Sequence, residues 1–107
     1  MAESKFPVSL DVQGQKATLT APGPHLETVD ADEFEAACGK LLDTGQPSLV
    51  VDVTAVQTIQ SMLIGEIAKT KIIAAEANRK FLLVTNRKLA NVFKMILSEL
   101  VEIEVKG

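Results

Sequence analysis

The sequence is short of the residues on which many functions are built. Aromatics make up 4% of the 107 residues, four Phe with no Trp and no Tyr, so platforms that stack bases or sugars have little to stand on. One cysteine cannot close an internal disulfide, and with a single histidine there is no Cys/His cluster at metal-ligand spacing. Positive charge is in deficit too. Eleven Lys and Arg against fourteen Asp and Glu leave −3, whereas a nucleic-acid binder draws most of its affinity from a basic excess or stripe. No apolar run approaches the ~18 residues of a membrane span, and Met1-Ala2-Glu3-Ser4-Lys5 has no secretory character. The expected location is the cytoplasm, with no membrane span. The six glycines, at 14, 23, 39, 45, 65 and 107, build neither a GxGxxG nor a Walker loop. No cofactor and no metal are expected.

What is present is the balance of a folded domain, 47% hydrophobic and 23% charged. The length suits a single domain, residues 1–107, with a core of Val, Ile, Leu, Ala and Met. Between Phe6 and Leu19, Val8, Leu10 and Val12 alternate with polar residues, as do Ala17 and Leu19. Gln13-Gly14 divides the two runs, which predicts a strand pair with one wet face. Ala21-Pro22-Gly23-Pro24-His25 reads as a loop. A first helix is expected from a cap at Thr28 or Asp30 to about Asp43. Its stripe is Phe34, Ala37, Cys38, Leu41 and Leu42, and Gly45 and Pro47 end it. Leu49-Val50-Val51-Asp52-Val53 is apolar on both faces and predicts a buried parallel strand. A second helix, about Ser61 to Ala77, is expected to bury Ile64, Ile67, Ala68, Ile72 and Ala75. Phe81 to Val84 reads as another buried strand, and about Arg87 to Leu97 as a third helix with Leu89, Val92, Phe93, Ile96 and Leu97 at helical spacing. Val101, Ile103 and Val105 end the chain in a half-exposed strand. The order β-β-α-β-α-β-α-β implies an α/β domain with right-handed crossovers.

Few residues carry chemistry. Cys38 lies in a core stripe among acidic neighbours, the setting of an inert structural thiol. His25 sits alone in its loop, with no residue marked out as its partner in nucleophilic or general-base catalysis. The carboxylates Asp30, Asp32, Glu33 and Glu35 lack the spacing of a calcium loop and suit a helix start. An enzyme is therefore not expected. The informative stretch is 52–61, which joins the central strand to the second helix at the carboxyl end where open α/β sheets gather function. Asp52 is expected to tie this loop by accepting backbone N–H bonds. Ser61 stands where an N-cap belongs. Met62 and Leu63 follow it off the predicted core stripe, as does Ile73, and leave an apolar docking face beside a hydroxyl. Phosphate on Ser61 would be tolerated by the helix N-terminus, yet it would set about −2 of charge into an apolar contact.

The run Val50-Val51-Asp52-Val53-Thr54-Ala55-Val56-Gln57-Thr58-Ile59-Gln60-Ser61-Met62-Leu63-Ile64-Gly65 resembles the central motif of STAS domains, those of sulfate transporters and anti-sigma factor antagonists. The order of elements is similar from about residue 6 to 105. The resemblance implies a single α/β domain of stand-alone bacterial type, with a mixed four-to-five-stranded sheet and helices packed by β-α crossovers. It implies a cytoplasmic regulator of transcription that works by binding, with Ser61 the phosphorylated residue. The partners would be a serine kinase, often itself the anti-sigma factor, and a resetting phosphatase, with docking through Thr58, Gln60, Ser61, Met62 and Leu63. Gln60 departs from the Asp usual before the phosphorylated hydroxyl, and Met62 from the small residue frequent in antagonists. The alternative within the fold is a constitutive, unphosphorylated STAS subunit of a stressosome or of a lipid-transporting ABC ATPase. Self-association is left open.

Overall fold

In the computed structural model the described residues are 9–21, 25–26, 31–97 and 101–106. The amino-terminal hairpin is β1 (Ser9–Gln13) and β2 (Lys16–Thr20), antiparallel about Gly14, whose φ of 61° is the left-handed conformation that glycine adopts at no cost. Ala17 and Leu19 are buried, as the alternation predicts. β1, however, is exposed along its whole length, Leu10 and Val12 included, because it is an edge strand that no helix covers. A two-residue strand, β3 (His25–Leu26), follows. The stretch expected to be loop thus ends in a strand. The expected caps at Thr28 and Asp30 lie outside the described residues.

Helix α1 (Ala31–Asp43) buries Phe34, Ala37, Cys38 and Leu41, the predicted stripe, with Leu42 packed at its margin. Gly45, at φ 71°, turns the chain after it. Strand β4 (Ser48–Asp52) pairs in parallel with β2 on one side and with β6 (Lys80–Asn86) on the other. Between them lie β5 (Thr58–Ile59) and α2 (Ser61–Glu76). Helix α3 (Arg87–Leu97) and β7 (Glu102–Lys106) complete the chain, β7 running parallel to β6. The sheet order is β1-β2-β4-β6-β7, five strands with only β1 antiparallel, and β3 and β5 form a separate parallel pair.

Three successive crossovers move in one direction across the sheet, and their right-handedness places α1, α2 and α3 on one face. The register agrees. The cross-strand rows Ala17–Leu49–Phe81 and Leu19–Val51–Leu83 belong to the core cluster shared with all three helices. The alternate row Thr18–Val50–Leu82 points to the other side.

The second helix departs most from its predicted face. The buried residues are Leu63, Ile64, Ile67, Thr70 and Ala74, while Ile72 and Ala75 are exposed. Apolar residues occur all round this helix, so periodicity alone cannot choose the inner side; the neighbours do, with α1 packed along one flank. Its end carries no glycine. Asn78 takes the left-handed conformation at φ 59°, the N–H of Arg79 reaches the carbonyl of Ala74 at 2.9 Å, and the N–H of Asn78 reaches that of Ala75 at 3.0 Å. This is a Schellman stop with Asn in the usual place of Gly.

Candidate functional site

The predicted functional loop leaves the middle strand of the sheet. At its start the carboxylate of Asp52 accepts two bonds at Oδ1, from the N–H of Thr54 at 2.9 Å and from Thr54 Oγ1 at 2.7 Å. This is the tie expected of Asp52, an Asx turn that bends the chain away from the strand. A β-turn follows, with the N–H of Val56 donating to the carbonyl of Val53 at 3.0 Å. Val53 and Val56 are fully buried, so the loop is bolted to the core by two side chains.

Residue 86 was not anticipated. Asn86 is at once the last residue of β6 and the cap of α3, where its Oδ1 accepts the N–H of Leu89 at 3.0 Å. Its Nδ2 donates both hydrogens to the loop after β4, to the carbonyls of Thr54 at 2.9 Å and of Val56 at 2.6 Å. Asn immediately before an amphipathic run is a readable cap signal. That its other atoms reach a loop thirty residues earlier depends on β4 and β6 being neighbours, which only the tertiary structure supplies.

Beyond Val56 the chain turns outward. Gln57, Thr58 and Gln60 are exposed, and the backbone of Thr58–Ile59 pairs with that of His25–Leu26. The lone histidine is therefore placed, by its backbone, beside the candidate loop. Helix α2 then begins, and here the expected cap is corrected. Gln60 occupies the N-cap with extended backbone (φ −78°, ψ 147°) and makes no side-chain cap bond; Ser61 is the first helical residue. The N–H groups of Leu63 and Ile64 both turn to the carbonyl of Gln60, at 3.0 and 3.3 Å. Those of Ser61 and Met62 have no backbone acceptor among the described residues. The first turn carries no acidic side chain, so the positive end of the helix is left uncompensated, in contrast to Asp32 and Glu33 at the start of α1.

The structure divides the five expected docking residues. Thr58, Gln60, Ser61 and Met62 are exposed, Met62 to 55%. Leu63 is corrected: it is 0% exposed and sits in the core cluster, since one step along a helix is a turn of about 100° and carries the next side chain inward.

Cys38 is buried as expected. Burial pushes its thiol up to about 11, the Thr70 side chain opposes this, and Glu66 and Glu35 add to it. It has none of the electropositive setting of a reactive cysteine. Among the described residues no cluster of His, Cys, Asp or Glu could hold a metal ion, and no helix is long and apolar enough to cross a membrane.

The chain has the STAS-type fold of solved anti-sigma factor antagonists. An anti-sigma factor antagonist from Mycobacterium paratuberculosis superposes with a TM-score of 0.79 at 18% identity, over 96% of this chain and 88% of that one. A Thermotoga maritima protein described as a candidate anti-sigma factor antagonist gives 0.79 at 21% identity, over 95% of this chain and 86% of that one. An NMR structure of that same Thermotoga protein, TM1081, gives 0.77 at 21%, over 99% of this chain and 85% of that one. At such identities the likeness is one of fold. No family model matches the sequence, and no curated protein does.

Proposed function

We propose that this chain is a partner-switching regulatory protein of the anti-sigma factor antagonist type, a binding protein rather than an enzyme, controlled by phosphorylation of Ser61. The observation that carries the reading is the exposed Ser61 hydroxyl at the first position of α2, beside the 55% exposed Met62. A serine kinase would supply the base and the magnesium. Ser61 Oγ would attack the terminal phosphorus of ATP and lose its proton to that base as ADP departs. The phosphate would meet the free N–H groups and positive end of α2, at little cost to the fold. The same charge would enter an apolar contact and expel the partner, an anti-sigma factor in this reading, until a phosphatase removes it. The rigid loop behind Ser61, pinned by Asp52 and Asn86, lets the switch act on binding and not on folding.

The first test is intact mass of the protein from its own cells, with and without phosphatase. A species heavier by one phosphate and mapped to Ser61 supports the switch. Protein unmodified under resting and stressed conditions alike counts against it. Gln60, where an acid is usual, favours a second reading, a constitutive subunit of a stressosome or of a lipid-transporting ABC ATPase. The two part company on substitution. The switch requires Ser61→Asp to lose the partner and Ser61→Ala to keep it, whereas a constitutive subunit binds alike in both forms.

A further inference from the structure

The solvent side of α3 is an apolar ridge among cations. Met95 is 85% exposed and Ile96 52%, with Val92 beside them, and the helix carries Arg87, Lys88 and Lys94 with no carboxylate. Positions 88, 92, 95 and 96 form one continuous strip on the wheel, so Lys88 abuts the apolar surface. Among the described residues nothing covers this strip. The buried residues of α3, Leu89, Ala90, Phe93 and Leu97, occupy a separate sector of the helix that adjoins the strip at Ile96. On a chain of net charge −3, an element this cationic fits an anionic counterpart.

A face of that kind exists on the same molecule. Helix α1 has Asp32, Glu33, Glu35 and Asp43 against the single cation Lys40, and of these Glu35 already pairs with Lys69 of α2 at 3.3 Å. Its outer row runs Asp32, Ala36, Gly39, Asp43, at i, i+4, i+7 and i+11. Two small residues thus lie between two carboxylates, and a Cβ built on Gly39 would meet nothing within 4 Å. The two helices stand at opposite ends of the helix layer, α1 against β2 and α2, and α3 against β6 and β7. One copy cannot bring them together; two copies can.

We propose that the α3 ridge docks on the α1 face of a second copy of this chain. Met95 and Ile96 lie over Ala36 and Gly39, and Lys88, the cation on the strip, meets the carboxylate at one end of that row, Asp32 or Asp43. The contact joins unlike faces, so it leaves an α1 face free at one end and an α3 ridge at the other, and the assembly grows head to tail. An α3–α3 contact would instead oppose three cations with three. This inference goes beyond the Ser61 switch and does not depend on it.

Sedimentation velocity on the full chain tests it, from about 10 μM to about 1 mM, the range in which a small charge-assisted contact associates. The wild type is expected to grow past a dimer with concentration, and its association to weaken about tenfold as salt rises from about 0.05 to 0.5 M. Met95→Glu and Ala36→Arg, both at exposed positions, should each give a folded monomer. An equimolar mixture of the two should give a dimer and nothing larger, because only the α1 face of the first and the ridge of the second remain intact. A monomeric wild type, a mixture that stays monomeric, or an Ala36→Arg variant that still assembles overturns the proposal. A monomer that binds phosphatidylglycerol vesicles, and stops doing so as Met95→Glu, assigns the ridge to an anionic lipid surface instead.

Discussion

The amide nitrogen of Asn86 lies 2.6 Å from the carbonyl oxygen of Val56, thirty residues earlier in the chain. With its second bond, to Thr54, and the cap bond from Leu89, one side chain joins the end of β6, the start of α3 and the loop that delivers α2. Every hydrogen-bonding atom of its amide group is engaged. Residue 86 is thus the clamp of the candidate site, though it is not itself on the expected docking surface.

Asn86→Ala removes a helix cap and two bonds to loop carbonyls, and it should lower stability by about 2–3 kcal/mol in urea unfolding. Asn86→Asp keeps the acceptor for Leu89 but turns an oxygen toward the carbonyls of Thr54 and Val56. It should therefore release the loop while α3 stays capped, seen as faster amide exchange confined to residues around 53–60. An alanine variant within about 0.5 kcal/mol of wild type would sink the clamp.

Ser61 is the first helical residue and not the cap. Ser61→Ala should accordingly change stability by less than about 0.5 kcal/mol, where loss of a true cap costs about 1. Ser61→Asp should raise it by a few tenths of a kcal/mol, since a carboxylate suits the positive end of α2. Thermal unfolding of the three proteins decides between the positions, and a loss of 1 kcal/mol or more on Ser61→Ala returns the residue to the capping role.

Adjacent residues 62 and 63 should behave oppositely. Met62→Lys alters a side chain that is mostly in water and should leave stability within about 0.5 kcal/mol. Leu63→Ala opens a cavity in the core cluster and should cost about 2–5 kcal/mol. Partner affinity, if Met62 docks, falls only with the first. Equal stability losses in chemical denaturation would contradict the placement.

The Cys38 thiol makes the fold sensitive to alkali. Burial raises it to about 11 from an ordinary 9.0, so the native state keeps its proton where the unfolded chain has lost it. The resulting stability is complete below pH 9 and declines as pH rises toward 11. The slope in that window is about 1.4 kcal/mol per pH unit at most. Between pH 8 and 10 the wild type should lose about 1 kcal/mol more than Cys38→Ala, the variant serving to subtract the lysines that titrate nearby. Parallel pH profiles would mean that the thiol is reached by water.

Most of the architecture was legible along the chain, because each element carries its own signal. Alternation about Gly14 marked the hairpin, and the apolar run 49–53 marked a buried central strand. The stripe of α1 and the bounds of α3 followed from apolar spacing, and the short Asp52–Thr54 tie needed only the preference of Asp for the N–H two residues on. The failures are those where local pattern is ambiguous. Helix α2 is apolar on every side, so its inner face, and with it the burial of Leu63 and the exposure of Ile72 and Ala75, follows from what packs against it. In α3 the spacing named Val92 and Ile96 as core, yet the buried side holds Leu89, Ala90, Phe93 and Leu97, and Val92 and Ile96 join Met95 on an outward ridge.

By itself the sequence determined the order of elements, the buried character of the central strands and the place of the loop after Asp52, all of which are signalled within a few residues of chain. The tertiary structure alone decided which side of each ambiguous helix meets water, brought His25 alongside Thr58, and lent the amide of Asn86 to a distant loop. Those outcomes belong to strand order and register, through which residues far apart in the chain become neighbours.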